Sequence, residues 1–135
     1  MATKDEIIDF FATTFPQSDI VIDRVGDGTC RVIKPIGERQ LRPGGTVSGP
    51  TMMALADTAL YVAIFGAIGI VPLAVTTNLN TNFLRKPQAD RDLVAECELI
   101  KVGKRLAVGE VAIFSDGDPK MVAHAVGTYS IPENR

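Results

Sequence analysis

Between Thr51 and Val71 the chain reads TMMALADTALYVAIFGAIGIV, a run in which Asp57 is the single charge. Apolar residues there fall on every side of a helical wheel, and a helix of that kind has to be covered nearly all round. A membrane is one possible cover. The uncharged run from Thr58 to Val71 is shorter than the ~20 residues a span needs, and extending it backward brings in Asp57, which costs ~3 kcal/mol at a helix centre. Protein is therefore the expected cover. Gly49-Pro50 offers a start to the helix, since proline suits its first turn, while Gly66, Gly69 and Pro72 weaken and end it.

Beyond Pro72 the apolar period changes. LAVTTNLNTNFLRKP, DLVAECELIKVG, RLAVGEVAIFSDG and PKMVAHAVGTYSIP each alternate or run apolar with β-branched residues between polar or glycine-containing turns, which predicts four long antiparallel strands. Upstream, Thr3 to Phe15 predicts a helix with Ile7, Ile8, Phe10 and Phe11 on one side, stopped by Pro16. Asp19 to Arg24 and Thr29 to Lys34 predict a hairpin about Gly26-Asp27-Gly28. The segment GERQLRPGGTVSGP, rich in glycine and proline, is expected to be irregular. The architecture implied is α+β, one antiparallel sheet wrapped around a buried central helix. No linker or repeat interrupts the 135 residues, so a single domain over 1–135 is expected.

Charge and residue counts exclude several functions. A formal net charge of −2 gives no field to hold a polyanion, so neither nucleic acid nor a membrane is an expected partner. With one histidine, His124, and no carboxylate cluster at ligand spacing, no metal site is expected; His124 reads as a strand residue facing solvent or a partner. No GxSxG occurs, and nothing is placed to build a Ser-His-Asp or Cys-His centre. Cys30 and Cys97, without a CxxC pair or a leader-like start, point to a reducing cytoplasmic setting and read as small buried hydrophobes.

Asp57 shares its helical face with Met53, Ala54, Leu60, Tyr61 and Ile64, so its charge is expensive unless it is paired, hydrogen-bonded or open to a cleft. A structural carboxylate and a reactive one both satisfy that condition. At the head of the helix, backbone N–H groups around Gly49 carry the positive end of the dipole and could hold a developing oxyanion. Gly49 and Asp57 lie ~12 Å apart along one axis at ~1.5 Å per residue, so they could serve one substrate atom only across two subunits. Alternation predicts that Thr76, Asn78 and Asn80 face one way along their strand.

The string SGPTMMALADTALY, followed by AVTTNLNTNFLRKP and KVGKRLAVGEVAIFSDGDPKMVAHAVGTYSIP, resembles the hotdog-fold acyl-CoA thioesterases of the phenylacetate-degradation type. The resemblance covers about Arg42 to Pro132 and implies the hotdog fold. It implies Asp57 as general base or nucleophile against an acyl-CoA thioester, Gly49 of the other subunit as the oxyanion donor, and Thr76 as a residue orienting water or Asp57. In that family His-Gly-Gly commonly precedes the helix; here Ser48, Gly49 and Pro50 stand at those positions, and Pro50 has no N–H. Ser48, Asn78 and Asn80 are then expected to line the substrate cleft, and the cation pairs Arg85-Lys86 and Lys104-Arg105 to meet the phosphates of coenzyme A. The expected assembly is a homodimer or dimer of dimers, with no cofactor other than coenzyme A as part of the substrate. The alternative is an acyl-CoA-binding or regulatory hotdog protein without turnover.

Overall fold

The computed structural model describes residues 1–133. Helix α1 spans Lys4–Thr14 and begins with a reciprocal cap: Thr3 Oγ1 accepts from the Glu6 N–H at 3.2 Å while Glu6 Oε1 accepts from the Thr3 N–H at 2.9 Å. Ile7 and Phe11 are its buried residues, whereas Ile8, expected on the same apolar side, is exposed. The helix is turned so that its aromatic residues meet the central helix, with Phe10 edge-on to Phe65 at 5.1 Å between ring centroids.

A hairpin of β1, Val21–Val25, and β2, Thr29–Lys34, follows as expected. The glycine-rich segment departs from expectation. It holds a 3-10 turn at Glu38–Gln40 and a ribbon of β3, Leu41–Arg42, with β4, Thr46–Val47, folded back through Pro43-Gly44-Gly45. Two residue pairs suffice for such a ribbon, which is too short to leave a periodic signal in sequence.

The central helix α2 runs Gly49–Ile68. By length and composition it could cross a membrane, but its apolar surface is spent on protein. Leu55, Ala56, Ala59, Leu60, Val62, Ala63 and Phe65 are at most 2% exposed, packed under β2 and the strands β6, Leu93–Val102, β7, Leu106–Ser115, and β8, Met121–Ser130. With β5, Val75–Phe83, these make one six-stranded antiparallel sheet in the order β1-β2-β6-β7-β8-β5. All four strands expected after the helix are present and antiparallel. Cys30 and Cys97 face one another across β2 and β6, both buried and free, and the Cys30 thiol donates to the Ala59 carbonyl at 3.1 Å.

The tightest approach of helix to sheet is at Gly66. A Cβ there would stand 2.5 Å from the Gly26 carbonyl oxygen and 2.8 Å from a Val25 methyl. In an open helix Gly→Ala stabilises by ~1 kcal/mol. Here the obstruction is backbone, so Gly66→Ala is expected to reverse that sign and lower the unfolding free energy by about 1–3 kcal/mol, read from the midpoint of a denaturant melt.

Candidate active site

Asp57 is half-buried on α2, where the helix passes the ends of β5 and β8. The ladder pairs Thr76 with Tyr129, so both side chains lie on the sheet face that covers the helix. Thr76 Oγ1 donates to Asp57 Oδ1 at 2.5 Å, and the Tyr129 hydroxyl donates to the same oxygen at 2.8 Å while lying 3.0 Å from Asp57's own carbonyl. Oδ2 has no hydrogen-bond partner among the described residues. One carboxylate oxygen is thus anchored and the other is left open. Tyr129 is only 4% exposed. Burial pushes its phenol well above the ordinary tyrosine range, and the adjacent Asp57 charge pushes in the same direction. Tyr61, stacked on Tyr129 at 6.0 Å, is also raised by burial, and its hydroxyl donates to the Pro72 carbonyl at 2.8 Å. Asp57, Thr76 and Tyr129 open onto a cleft of about 290 Å³ whose other walls include Phe11, Phe15 and Tyr61.

The predicted companions on β5 are not all brought together. A register shift between Thr76 and Asn78 changes the alternation, so that Asn78 lies opposite Thr128 and Asn80 opposite Val126. Thr128 and Val126 alternate with buried Ala125, Gly127 and Tyr129. Asn78 and Asn80 therefore face away from α2 and from Asp57, which corrects the expectation that they share a face with Thr76.

Ser48 and Gly49 form the head of α2. Ser48 Oγ accepts from the Thr51 N–H at 3.3 Å and lies 2.8 Å from Thr51 Oγ1, so its side chain serves as the helix cap. The Gly49 N–H has no acceptor among the described residues. A Cβ on Gly49 would stand 3.2 Å from the Phe83 ring, which fixes the helix start beside the far end of β5. The cation pairs also lie apart. Lys104-Arg105 sits in the β6–β7 turn, at the end of the sheet where Leu106 and Val75 both pair with Ser130; Arg105 is paired with Glu133. Arg85-Lys86 follows β5 at the opposite end, roughly 30 Å from Thr76 at ~3.3 Å per residue. Arg85 Nε donates to the Met121 carbonyl at 3.1 Å.

A larger cleft, about 540 Å³, lies on the sheet face away from α2 around Arg31, Glu96, Glu98, Glu110 and His124. Its charges answer one another: Arg31 reaches Glu96 at 3.6 Å, and His124 lies 3.4 Å from Glu110. His124 thus faces outward from the sheet, as expected, and far from Asp57 in the ladder. Tyr129 is the site residue that the sequence reading missed. Its signal was the period-two series Ala123, Ala125, Gly127, Tyr129, in which a large residue with a hydroxyl falls on the core face and must find a partner.

Residues 44–122 match the model of the thioesterase superfamily, a span that contains Gly49, Asp57 and Thr76. A solved structure of a candidate thioesterase from Silicibacter sp. TM1040 superposes with a TM-score of 0.88 at 43% identity, covering 96% of this chain and 92% of that one. A candidate esterase of Thermoplasma acidophilum is 29% identical over 112 residues, 82% of this chain and 81% of its own. A thioesterase-type protein of Streptococcus pneumoniae solved with coenzyme A, at 20% identity, shares the fold with a TM-score of 0.80 over 93% of this chain and 96% of that one. The helix-in-sheet architecture, the matched span and the 43% relative agree: this chain is a hotdog-fold hydrolase that belongs to the thioesterase superfamily.

Proposed function

We propose that the protein hydrolyses the thioester of an acyl- or aryl-CoA to the free acid and coenzyme A, with Asp57 as the reactive carboxylate. The observation that carries this reading is a carboxylate on an otherwise apolar helix with Oδ1 held by two neutral donors and Oδ2 left without a partner beside a cleft. Oδ2 takes a proton from water as the water oxygen adds to the thioester carbonyl. The tetrahedral oxyanion is received by a backbone N–H, the C–S bond breaks, and the proton on Asp57 passes to the departing sulfur. Direct attack by Oδ2, followed by hydrolysis of the mixed anhydride, uses the same groups. Neither route needs a cofactor.

The oxyanion donor in this reading is the Gly49 N–H of the partner subunit. β5 is the last strand of the sheet, bonded only to β8, and Val75 and Phe83 near its two ends are exposed. If β5 pairs with its own copy antiparallel about Leu79, Phe83 of one chain falls opposite Val75 of the other. Gly49, which packs on Phe83, then comes to the Asp57 end of the other chain. The same pairing brings Arg85-Lys86 of one chain to the end that carries Lys104-Arg105 of the other, a cationic mouth for the phosphates of coenzyme A. The Streptococcus pneumoniae structure with coenzyme A supports a ligand of that class. Buried, unpaired Cys30 and Cys97 suit a reducing cytoplasm.

Three outcomes are expected. Asp57→Asn keeps an acceptor for Thr76 and Tyr129 but removes the base, and should lower thiol release from acyl-CoAs about 10²–10⁴-fold; rates equal to the parent would remove Asp57 from the mechanism, and acyl-CoA binding without turnover in the parent itself would select the non-hydrolytic alternative. Gly49→Pro removes the N–H and should lower kcat about 10²–10³-fold. Refolded as an equal mixture, the two inactive variants should regain about a quarter of the parent's sites, because each mixed dimer holds one site with both groups intact; no recovery would count against a site shared between chains.

A separate outcome concerns pH. Tyr61 and Tyr129 are the only tyrosines and the chain has no tryptophan, so phenolate absorbance reports them without interference. Both are raised in the folded protein, so near the ordinary tyrosine pKa of ~10 the unfolded chain releases protons that the folded one keeps. The stability they contribute is complete below pH ~10 and falls as pH rises beyond it. Spectrophotometric titration of the native protein should show both phenolate steps later than the ordinary ~10, with that of the deeply buried Tyr129 the last to appear; two steps at the ordinary position would contradict the burial of both rings.

A further inference from the structure

We propose that Phe15 is a gate that sets how long an acyl group the Asp57 cleft accepts. The proposal rests on the reading of Asp57 as the carboxylate that attacks, or activates water against, an acyl thioester. The reacting carbonyl must then lie near Oδ2. The cleft there is walled by Phe11, Phe15, Tyr61 and Pro72, apolar surfaces that suit an acyl group and not the polar pantetheine and nucleotide. At about 290 Å³ it stands at the bottom of the size range of small-molecule pockets, ~300–1,000 Å³.

A second cleft of about 400 Å³ shares the Phe15 side chain as a wall and runs along the flank of α2 toward its N-terminus, past Thr58, Leu55, Ala54, Thr51 and Pro50. Phe15 and Thr58 line both clefts. The floor of the second includes Leu55 and Ala54, its side includes Ile20, and at its rim Lys34 Nζ pairs with Asp19 at 2.6 Å. Ala54 lies one turn before Thr58 on the same side of the helix, so an acyl chain that starts at Asp57 and follows α2 passes Thr58 and reaches Ala54. The Phe15 ring is what stands beside that path. Phe15 caps the C-terminus of α1, its N–H bonded to the Phe11 carbonyl at 3.0 Å, and Pro16 prevents the helix from going on. The ring is 41% exposed, and its one close aromatic neighbour is Phe11 at 5.9 Å. It is a partition held from one side.

The chemistry assigned follows. With Phe15 in place the protein selects compact acyl groups, aromatic or short-chain, and with the ring removed the two clefts become one channel that takes extended straight chains. Thr58, whose hydroxyl donates to the Ala54 carbonyl at 3.0 Å, adds no unpaired polar group to that channel.

The test uses the full chain and straight-chain S-alkyl-CoA thioethers from ethyl to tetradecyl, whose dissociation constants are measured by calorimetry, beside thiol release from the matching acyl-CoAs. In the parent, affinity should stop rising once the alkyl group fills the first cleft. In Phe15→Ala it should continue to rise by about three- to fourfold per added methylene over several further carbons, with the ratio of long-chain to short-chain kcat/KM moving the same way. Adding Ala54→Phe to Phe15→Ala refills the second cleft and should abolish the gain. Should Phe15→Ala melt early, Phe15→Leu keeps an apolar contact with Phe11 and carries the same expectation with a smaller increment. A parent whose affinity already climbs through the longest chains, or variants whose profiles match the parent's, would overturn the gate while leaving hydrolysis at Asp57 standing. Failure of every thioether to bind and every acyl-CoA to react would instead overturn the acyl-thioester reading, and the gate with it.

Discussion

Most of this structure follows from the need to cover a helix that has no polar side. α2 presents apolar residues all round, and water would be excluded only by surrounding it. The sheet curves over it from β2 through β8, and α1 closes part of the remaining flank with an aromatic cluster in which Phe10, Tyr61 and Phe65 meet edge to face or tilted. A sheath of this kind leaves gaps where one cover ends and the next begins. Asp57 stands in such a gap, between the β5–β8 end of the sheet and α1. The only charge in the helix therefore stands at a gap in the cover, where a charge costs less than it would under the sheet.

The way that charge is held bears on what it can do. An arginine beside Asp57 would satisfy both carboxylate oxygens in a bidentate pair and lower its basicity. Thr76 and Tyr129 are neutral donors to one oxygen. Each hydrogen bond to a charged group contributes about 1.5–3 kcal/mol, enough to fix the carboxylate's orientation without engaging its second oxygen. Because burial raises the Tyr129 phenol well above the ordinary tyrosine range, its role as donor does not change at neutral or mildly alkaline pH. In the proposed reading orientation is thus separated from reactivity, with Oδ1 used for the first and Oδ2 left for the second.

How far this arrangement was legible in sequence depended on the range of the signal. Helix α2 and the four strands after it were read correctly because periodicity and length are local properties, and Asp57 stood out against apolar neighbours for the same reason. The partnership of Asp57 with Tyr129 joins residues 72 apart and leaves no mark at either position. Asn78 and Asn80 were assigned to the wrong face because strict alternation was assumed through Thr76-Thr77-Asn78, where the strand carries an irregularity. One irregular residue reverses every side chain beyond it, so the error was complete rather than partial. Ser48, expected at the substrate cleft from the resemblance, caps the helix, a role that Ser-Gly-Pro at a helix start announces on propensity alone. Gly49 is explained from two directions, since a Cβ there would crowd the Phe83 ring, which would have to give by a few tenths of an ångström, and the same position leaves an N–H free.

In the proposed reading the rigidity of α2 makes the site incomplete in one chain. Eight residues of helix hold Gly49 and Asp57 ~12 Å apart, and no rotamer or loop movement shortens a helix. The strand beside it offers the compensation. β5 is long, has one free edge, and is exposed on nearly every residue, a combination that invites pairing with another strand. Its length is what matters to the chemistry: Gly49 packs at one end of β5 and Asp57 is tied to the other through Thr76, so a two-fold axis at the middle of the strand exchanges the two ends. Distance within a chain is thereby converted into proximity between chains, and activity in the proposed reading becomes a property of the pair.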